Sequence, residues 1–193
     1  MSDRYNLIAP QHDMEAEYRA LVDDFVAAGE EPAPWVLGLP CENFAALVDE
    51  LRSGTAGAAG FSEAVPHSTY WLVDEAWPSD EAWSGGDALP DGRAILGVAN
   101  LRHELNDRLR DHGGHIGYGV RPSARRRGVA TRMLALTLLA ARSRGLDRVL
   151  LTCQRDNVGS IRVIEANGGV LASESESAGG HGVLRRYWID LGR

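Results

Sequence analysis

Gly119-Val120-Arg121-Pro122-Ser123-Ala124-Arg125-Arg126-Arg127-Gly128-Val129-Ala130-Thr131 is the stretch whose reading decides the fold. An apolar run over residues 115–120 ends at Pro122, as a strand would. An arginine-rich turn then leads through Gly128 into the longest helical pattern of the chain, residues 129–144, which Gly145 stops. The first turn of a helix carries backbone N–H groups without intrahelical partners, at the positive end of the helix dipole. Such an end takes a phosphate when no side chain blocks the approach. Gly128 and Ala130 leave that approach clear, Thr131 adds a hydroxyl, and Arg125, Arg126 and Arg127 add charge. The segment therefore suits a pyrophosphate. Three arginines and a glycine can equally begin an exposed helix, and charge alone does not separate the two readings. No Gly-Lys-Ser/Thr follows, as a Walker loop requires, and the three spaced glycines of a dinucleotide fingerprint are missing.

Outward from this stretch the periodicities alternate. Before it, residues 5–9 read as a strand; Met14, Tyr18, Leu21, Val22 and Phe25 recur at helical spacing over residues 12–28. Residues 30–40 carry three prolines and read as loop, and Phe44, Leu47, Val48 and Leu51 mark a second helix closed by Gly54. Residues 53–60 read as a flexible connection, too short to divide the chain. Strands are expected over 68–74 and 93–101, with a loop over 77–91 and a polar bend over 106–114. After the long helix come a strand over 148–154, a short helix over 160–166, and closing strands over 170–173 and 184–191. No repeat is present. This mixed order predicts an α/β (α+β) fold, one domain over residues 1–193, with helices on the faces of a sheet.

Composition narrows the function. Of 193 residues 44% are hydrophobic and 24% charged, enough for a core without disulfides. All twenty basic residues are arginine, yet the net charge is −7, a poor basis for binding nucleic acid. The two cysteines, Cys41 and Cys153, lack metal-ligand spacing, so no metal is expected. No stretch approaches about 18 uninterrupted apolar residues, and the first residues have no leader-like apolar region. The expectation is a cytoplasmic protein with no membrane partner.

Arg125-x-x-Gly128-x-Ala130, between a strand and a long helix, resembles the acetyl-CoA motif of the GCN5-related N-acetyltransferase (GNAT) family. Leu150-Leu151-Thr152-Cys153, followed by Asn157, Ser160, Ile161 and Asn167-Gly168-Gly169, resembles that family's next strand and helix. The runs Gly113-Gly114-His115-Ile116-Gly117-Tyr118 and Arg186-Tyr187-Trp188-Ile189 resemble a bacterial branch of the family. The resemblance covers residues 93–191 and implies a mixed sheet of about seven strands flanked by about four helices. It implies acetyl-CoA as co-substrate, bound where the strand of Gly119 and Val120 splays from the strand of Val149 and Cys153. Main-chain groups of Gly119 and Val120 would pair with the pantetheine arm. The amides from Arg126 through Arg127, Gly128, Val129 and Ala130 to Thr131 would hold the pyrophosphate, and Asn157, with Ser160 beside it, would reach the pantetheine end. Many members carry a tyrosine seven residues after that asparagine to protonate the leaving thiolate; here the position is Ile164, which reads as a packed helix residue.

Acetyl transfer needs a neutral amine, hence a base or a water chain. His115 and His103 are the candidates by intrinsic pKa, with turn and bend roles as their alternatives. Tyr118 is the other polar side chain near the expected thiol, or else a core tyrosine. Trp71, with Asp74 and Glu75, would suit a cationic amine, and would equally be a core tryptophan and two solvated acids. Arg102, with His103 and Asn106, would suit a carboxylate or phosphate on the acceptor, or a polar bend. Trp77 and Trp83 fall in a loop, where aromatics form lids or interfaces. Direct attack is expected, since no activated cysteine or serine is visible. The acceptor expected is a small-molecule primary amine, and a second copy of the chain is a candidate partner. The competing reading is a catalytically silent acyl-CoA sensor.

Overall fold

A β-branched and aromatic run, His67 to Asp74, forms the strand around which the N-terminal half is built. The structure, a computed structural model, describes residues 4–54, 65–77, 92–176 and 182–192. In chain order the elements are β1 (Tyr5–Ile8), α1 (Glu15–Ala27), α2 (Phe44–Ser53), β2 (His67–Asp74), β3 (Ala94–Arg102) and α3 (Asp107–Asp111). They continue with β4 (Ile116–Val120), α4 (Val129–Ser143), β5 (Arg148–Gln154), α5 (Val158–Ala166), β6 (Val170–Glu176) and β7 (Val183–Asp190). The fold is the expected α/β arrangement of seven strands. Its strands divide into antiparallel sheets of order β1-β2-β3-β4 and β5-β7-β6.

Local chemistry places the helix ends. Asn43 caps α2 by accepting the Ala46 N–H, and Gly54 ends it in the left-handed region. Two expectations are corrected. Residues 106–114 are not wholly a bend, because the Asn106 side chain accepts the Leu109 N–H and starts the short α3. The proline-rich 30–40 segment contains a 3-10 turn, Trp35–Gly38. Trp83, with most of the 77–91 loop and residues 55–60, lies outside the described residues.

Alternation along the strands builds two faces. α1 and α2 bury Tyr18, Phe25, Phe44 and Leu47 against Trp71, Val73, Ile95 and Val98. α4 lays Val129 and Met133 on the other face, against Leu72, Leu96, Ala99 and Val120. β3 is covered on both sides, which explains its unbroken apolar run. A third cluster joins α4 and α5 to the smaller sheet through Leu134, Ile164, Val149, Leu151 and Tyr187.

The two sheets meet at one place. β4 pairs with β3 and β5 pairs with β7, and the bridge between the sheets joins Gly114, just before β4, to Leu151 of β5. A side chain at Gly114 would run into the Leu150 carbonyl, and the residue sits at φ +65°, so glycine is required there. Beyond this joint the strands part, and β4 runs on toward the N-terminus of α4 with one edge free of β5.

Candidate active site

The helix end at the mouth of this cleft has the features the sequence predicts. Gly128 is the N-cap of α4, at φ +78°, and no side chain caps it. The amides of Val129, Ala130 and Thr131 therefore lack intrahelical partners. Nothing lies within 4 Å of where a Gly128 Cβ would project, so the approach is open. Val129 is buried, Ala130 and Thr131 are half-buried, and Arg126, Arg127 and Gly128 are exposed. The arginines differ in employment. Arg125 is tied down, its Nη atoms each 2.7 Å from Glu30 and its Nε donating to the Val120 carbonyl. Arg127 lies over the Trp77 ring at 5.4 Å, and Arg126 takes a positive φ of 60°.

Arg121, which the sequence offers only as part of the arginine turn, is fully buried and pairs with Asp24 of α1 at 2.8 Å. Ser123 donates both its hydroxyl and its amide to the same Asp24 oxygen. Burial pushes the Asp24 carboxyl up, but Arg121 and Ser123 outweigh it and hold the pKa below the usual value. This knot fixes the turn before α4 to α1. No sequence spacing announces it, since Asp24 and Arg121 are 97 residues apart.

Register decides which main-chain groups of β4 are free. Arg102 donates to His115 O and Arg121 donates to Leu96 O, so the ladder bonds of the β3–β4 pair run through the odd residues of β4. Gly119, opposite Val98, is thus engaged with β3, while Tyr118 and Val120 turn their main-chain groups to the open edge. The expectation for Val120 fits this geometry; that for Gly119 is replaced by a steric role. A Cβ on Gly119 would overlap the Ala33 carbonyl, and one on Gly117 would stand 3.4 Å from Pro34 Cβ. The bare face of β4 lets the segment before Trp35 close over it.

Across the cleft, Asn157 is the exposed N-cap of α5 and accepts the Ser160 N–H at 2.9 Å. The Tyr118 hydroxyl is buried beside Ser160 without a hydrogen bond of good geometry. Burial pushes its pKa up to about 12, against a smaller lowering by Ser160. Ile164 is buried in the core, as its reading as a packing residue required.

Neither candidate histidine offers the geometry of a base. His115 donates its N–H to Leu150 O at 2.7 Å, and its Nδ1 accepts the Leu150 N–H at 2.9 Å. Its proton then sits on Nε2, and burial with the cations Arg102, Arg110 and Arg148 pushes the pKa down to about 4. It joins the two sheets rather than taking protons. His103 bonds Ser68 Oγ at 3.0 Å, on the opposite face of β2 from Trp71, and burial lowers its pKa.

The acceptor candidates are scattered. Trp71 is fully buried, stacked on Phe44 and tilted against Tyr18, while Glu75 is exposed in the turn after β2. Asp74 is buried at the sheet end and paired with Arg4 at 2.7 Å. These three do not form an acid-and-indole pocket. Arg102 is mostly enclosed, and its Nη1 donates to the Gly113 and Gly114 carbonyls. The fold sets His67 opposite Arg102, and Thr69 opposite Asn100 opposite Gly117, on the face that also carries Trp71. His67, Thr69 and Asn100 were missed. The period-2 pattern His67, Thr69, Trp71 was their sequence signal. Among the described residues no group of three or more His, Cys, Asp or Glu side chains could hold a metal, and no helix is long and apolar enough to cross a membrane.

A splayed strand beside an uncapped, glycine-led helix is the frame of an acyl-CoA-dependent transferase. The family model described as the acetyltransferase (GNAT) family matches residues 47–169, and the chain belongs to that family. It is an acetyl-CoA-dependent acetyltransferase. No curated protein matches the sequence. Among solved structures, the chain is similar to ribosomal-protein-S5-alanine acetyltransferase from Vibrio fischeri, with 13% identity and a TM-score of 0.64, covering 98% of this chain and 94% of that one. The microcin C7 self-immunity acetyltransferase MccE, solved with acetyl-CoA and AMP, matches at 13% identity and TM-score 0.62, over 98% and 93%. Spermidine N-acetyltransferase from Vibrio cholerae, a dodecameric structure, matches at 14% and 0.58, over 98% and 95%. These likenesses establish the shared fold.

Proposed function

We propose that residues 1–193 act as one domain that transfers acetyl from acetyl-CoA to the primary amine of a small molecule, by direct attack in a ternary complex in the cytoplasm. The observation that carries this is the continuity of β4's open edge with the uncapped N-terminus of α4. Free amides of Val129, Ala130 and Thr131, with Arg126 and Arg127 beside them, receive the pyrophosphate. Main-chain groups of Tyr118 and Val120 take the pantetheine arm as an added strand, and an N–H of this pair supports the oxyanion. The free side-chain nitrogen of Asn157 serves the far end of that arm.

As the amine nitrogen bonds to the thioester carbon, the C–S bond breaks and the sulfur leaves with the electron pair. Tyr118 stays protonated at neutral pH and donates a hydrogen bond to that thiolate, the work Ile164 cannot do. The amine gives its proton to solvent, since His115 and His103 are engaged elsewhere. Burial raises the Cys153 thiol's pKa, which argues against a covalent acyl-enzyme.

Calorimetric titration with acetyl-CoA, followed by thiol release with a panel of amines, tests this reading. Saturable binding and amine-dependent release are expected. No binding by a folded sample removes the site assignment; binding without release by any amine favours the sensor.

A further inference from the structure

Arg102 is a cation that pairs with no carboxylate among the described residues. Its Nη1 is spent on two carbonyls of the Gly113–Gly114 turn, and the described residues give Nη2 and Nε no acceptor and no carboxylate. The guanidinium lies along the bare face of β4: a Cβ on Gly117 would be 3.8 Å from both Nη1 and Nη2. With no side chain at 117, the space beside the fork is bounded by Pro34, whose Cβ would stand 3.4 Å from a Gly117 Cβ. The surroundings are electropositive although the chain carries a net charge of −7. His115, the next residue but one, feels Arg102, Arg110 and Arg148, and His67 across the strand feels Arg102; after burial itself, these cations lower both imidazoles' pKa values. Trp35 stands edge-on to His67 at 5.5 Å, and the Trp188 ring lies 6.1 Å from His115.

A half-buried arginine whose side-chain bonds among the described residues go to carbonyls, with a planar fork half free, is suited to a carboxylate. A polyamine there would set a cation against Arg102. We propose that the acceptor is an amino acid-like molecule whose carboxylate seats on Arg102 while its amine reaches the main chain of Tyr118 and Val120. Tyr118 and Val120 stand one and three residues from Gly117 along β4, roughly 3–10 Å, a range that includes the span from carboxylate to amine in an α- to γ-amino acid. Asn100, wholly buried and with its Oδ1 unpartnered among the described residues, lies between Thr69 and Gly117 and adds an acceptor for an ammonium or hydroxyl on the same face.

This rests on the transferase reading above, and the experiment separates the two. Thiol release is measured with the common amino acids, their C-terminal amides, and spermidine, in parallel with acetyl-CoA calorimetry. At least a tenfold higher kcat/KM for the best carboxylate over its own amide is expected. Equal rates for acid and amide, or acetyl-CoA binding with no turnover of any carboxylate-bearing amine, overturn the inference and leave the cofactor site standing. Loss of acetyl-CoA binding instead removes the parent reading. Arg102→Gln should erase the acid-over-amide preference through KM, at unchanged acetyl-CoA affinity, with Arg102→Lys restoring part of it. A retained preference in a folded Arg102→Gln protein also overturns it. The wild-type comparison decides the matter if that variant does not fold.

Discussion

His115 and Leu150 exchange two hydrogen bonds, one from the His115 amide to the Leu150 carbonyl at 2.7 Å and one from the Leu150 amide to the His115 Nδ1 at 2.9 Å. The imidazole ring thus replaces a carbonyl in what would otherwise be a strand pair, and it does so where the two sheets part. An imidazole so used must be neutral. Burial and the cations Arg102, Arg110 and Arg148 favour that neutral form and push the pKa down to about 4.

Replacing this ring should tell on stability. His115→Ala leaves a buried Leu150 N–H without an acceptor, at a cost of about 1–3 kcal/mol. Because the folded pKa is depressed, the unfolded chain binds more protons between about pH 4 and 6.5. The contribution is full above pH 6.5 and is lost as pH falls toward 4, with His67 and His103 adding in the same direction. Urea midpoints across this range should show a shallower slope in His115→Ala. An unchanged slope refutes the assignment.

Turnover should lack a histidine inflection. With His115 and His103 engaged, the rate is expected to rise with pH along the ionisation of the acceptor amine. An acid limb that is lost in His115→Ala or His103→Ala would restore one of them as the base.

Tyr118→Phe removes the hydroxyl proposed to serve the thiolate. The expected result is a kcat lowered about 10- to 100-fold, the worth of a hydrogen bond to a charged group, with acetyl-CoA affinity intact. Unaltered kcat in steady-state assays would assign Tyr118 to packing.

Gly128→Glu sets a carboxylate at the open helix end, where a phosphate belongs. Any side chain at φ +78° is strained, so Gly128→Asn serves as the uncharged control. Calorimetry should show acetyl-CoA binding reduced at least a hundredfold in the first and far less in the second. Equal affinities would refute the cradle.

Asp24→Ala takes the carboxylate from the fully buried Arg121 and should destabilise the protein by about 3–5 kcal/mol, visible as a lower denaturant midpoint. A change below about 1 kcal/mol would mean that the pair is worth no more than a surface contact.

The strands, the helices other than α3 and the uncapped end of α4 were legible in the sequence because each depends on neighbours a few residues away: apolar period, a glycine at a helix cap, a proline after a strand. The packed role of Ile164 followed in the same way. What each polar residue does was not legible. Arg125 and Arg121 look alike in the motif, yet one ties to Glu30 and the other is buried on Asp24, contacts made 95 and 97 residues away. His115 was a base by its pKa in water and became a joint when Leu150, 35 residues on, met its ring. Gly119 and Val120 divided their roles only when the register with β3 fixed which edge each faced. Trp71 and Glu75, four residues apart, ended in the core and in solvent. Sequence by itself determined the elements and the family; the tertiary structure decided the chemistry of the side chains. Backbone conformation is set by local sterics and spacing, whereas a side chain's charge, partners and access are set by whatever the chain brings against it from far away.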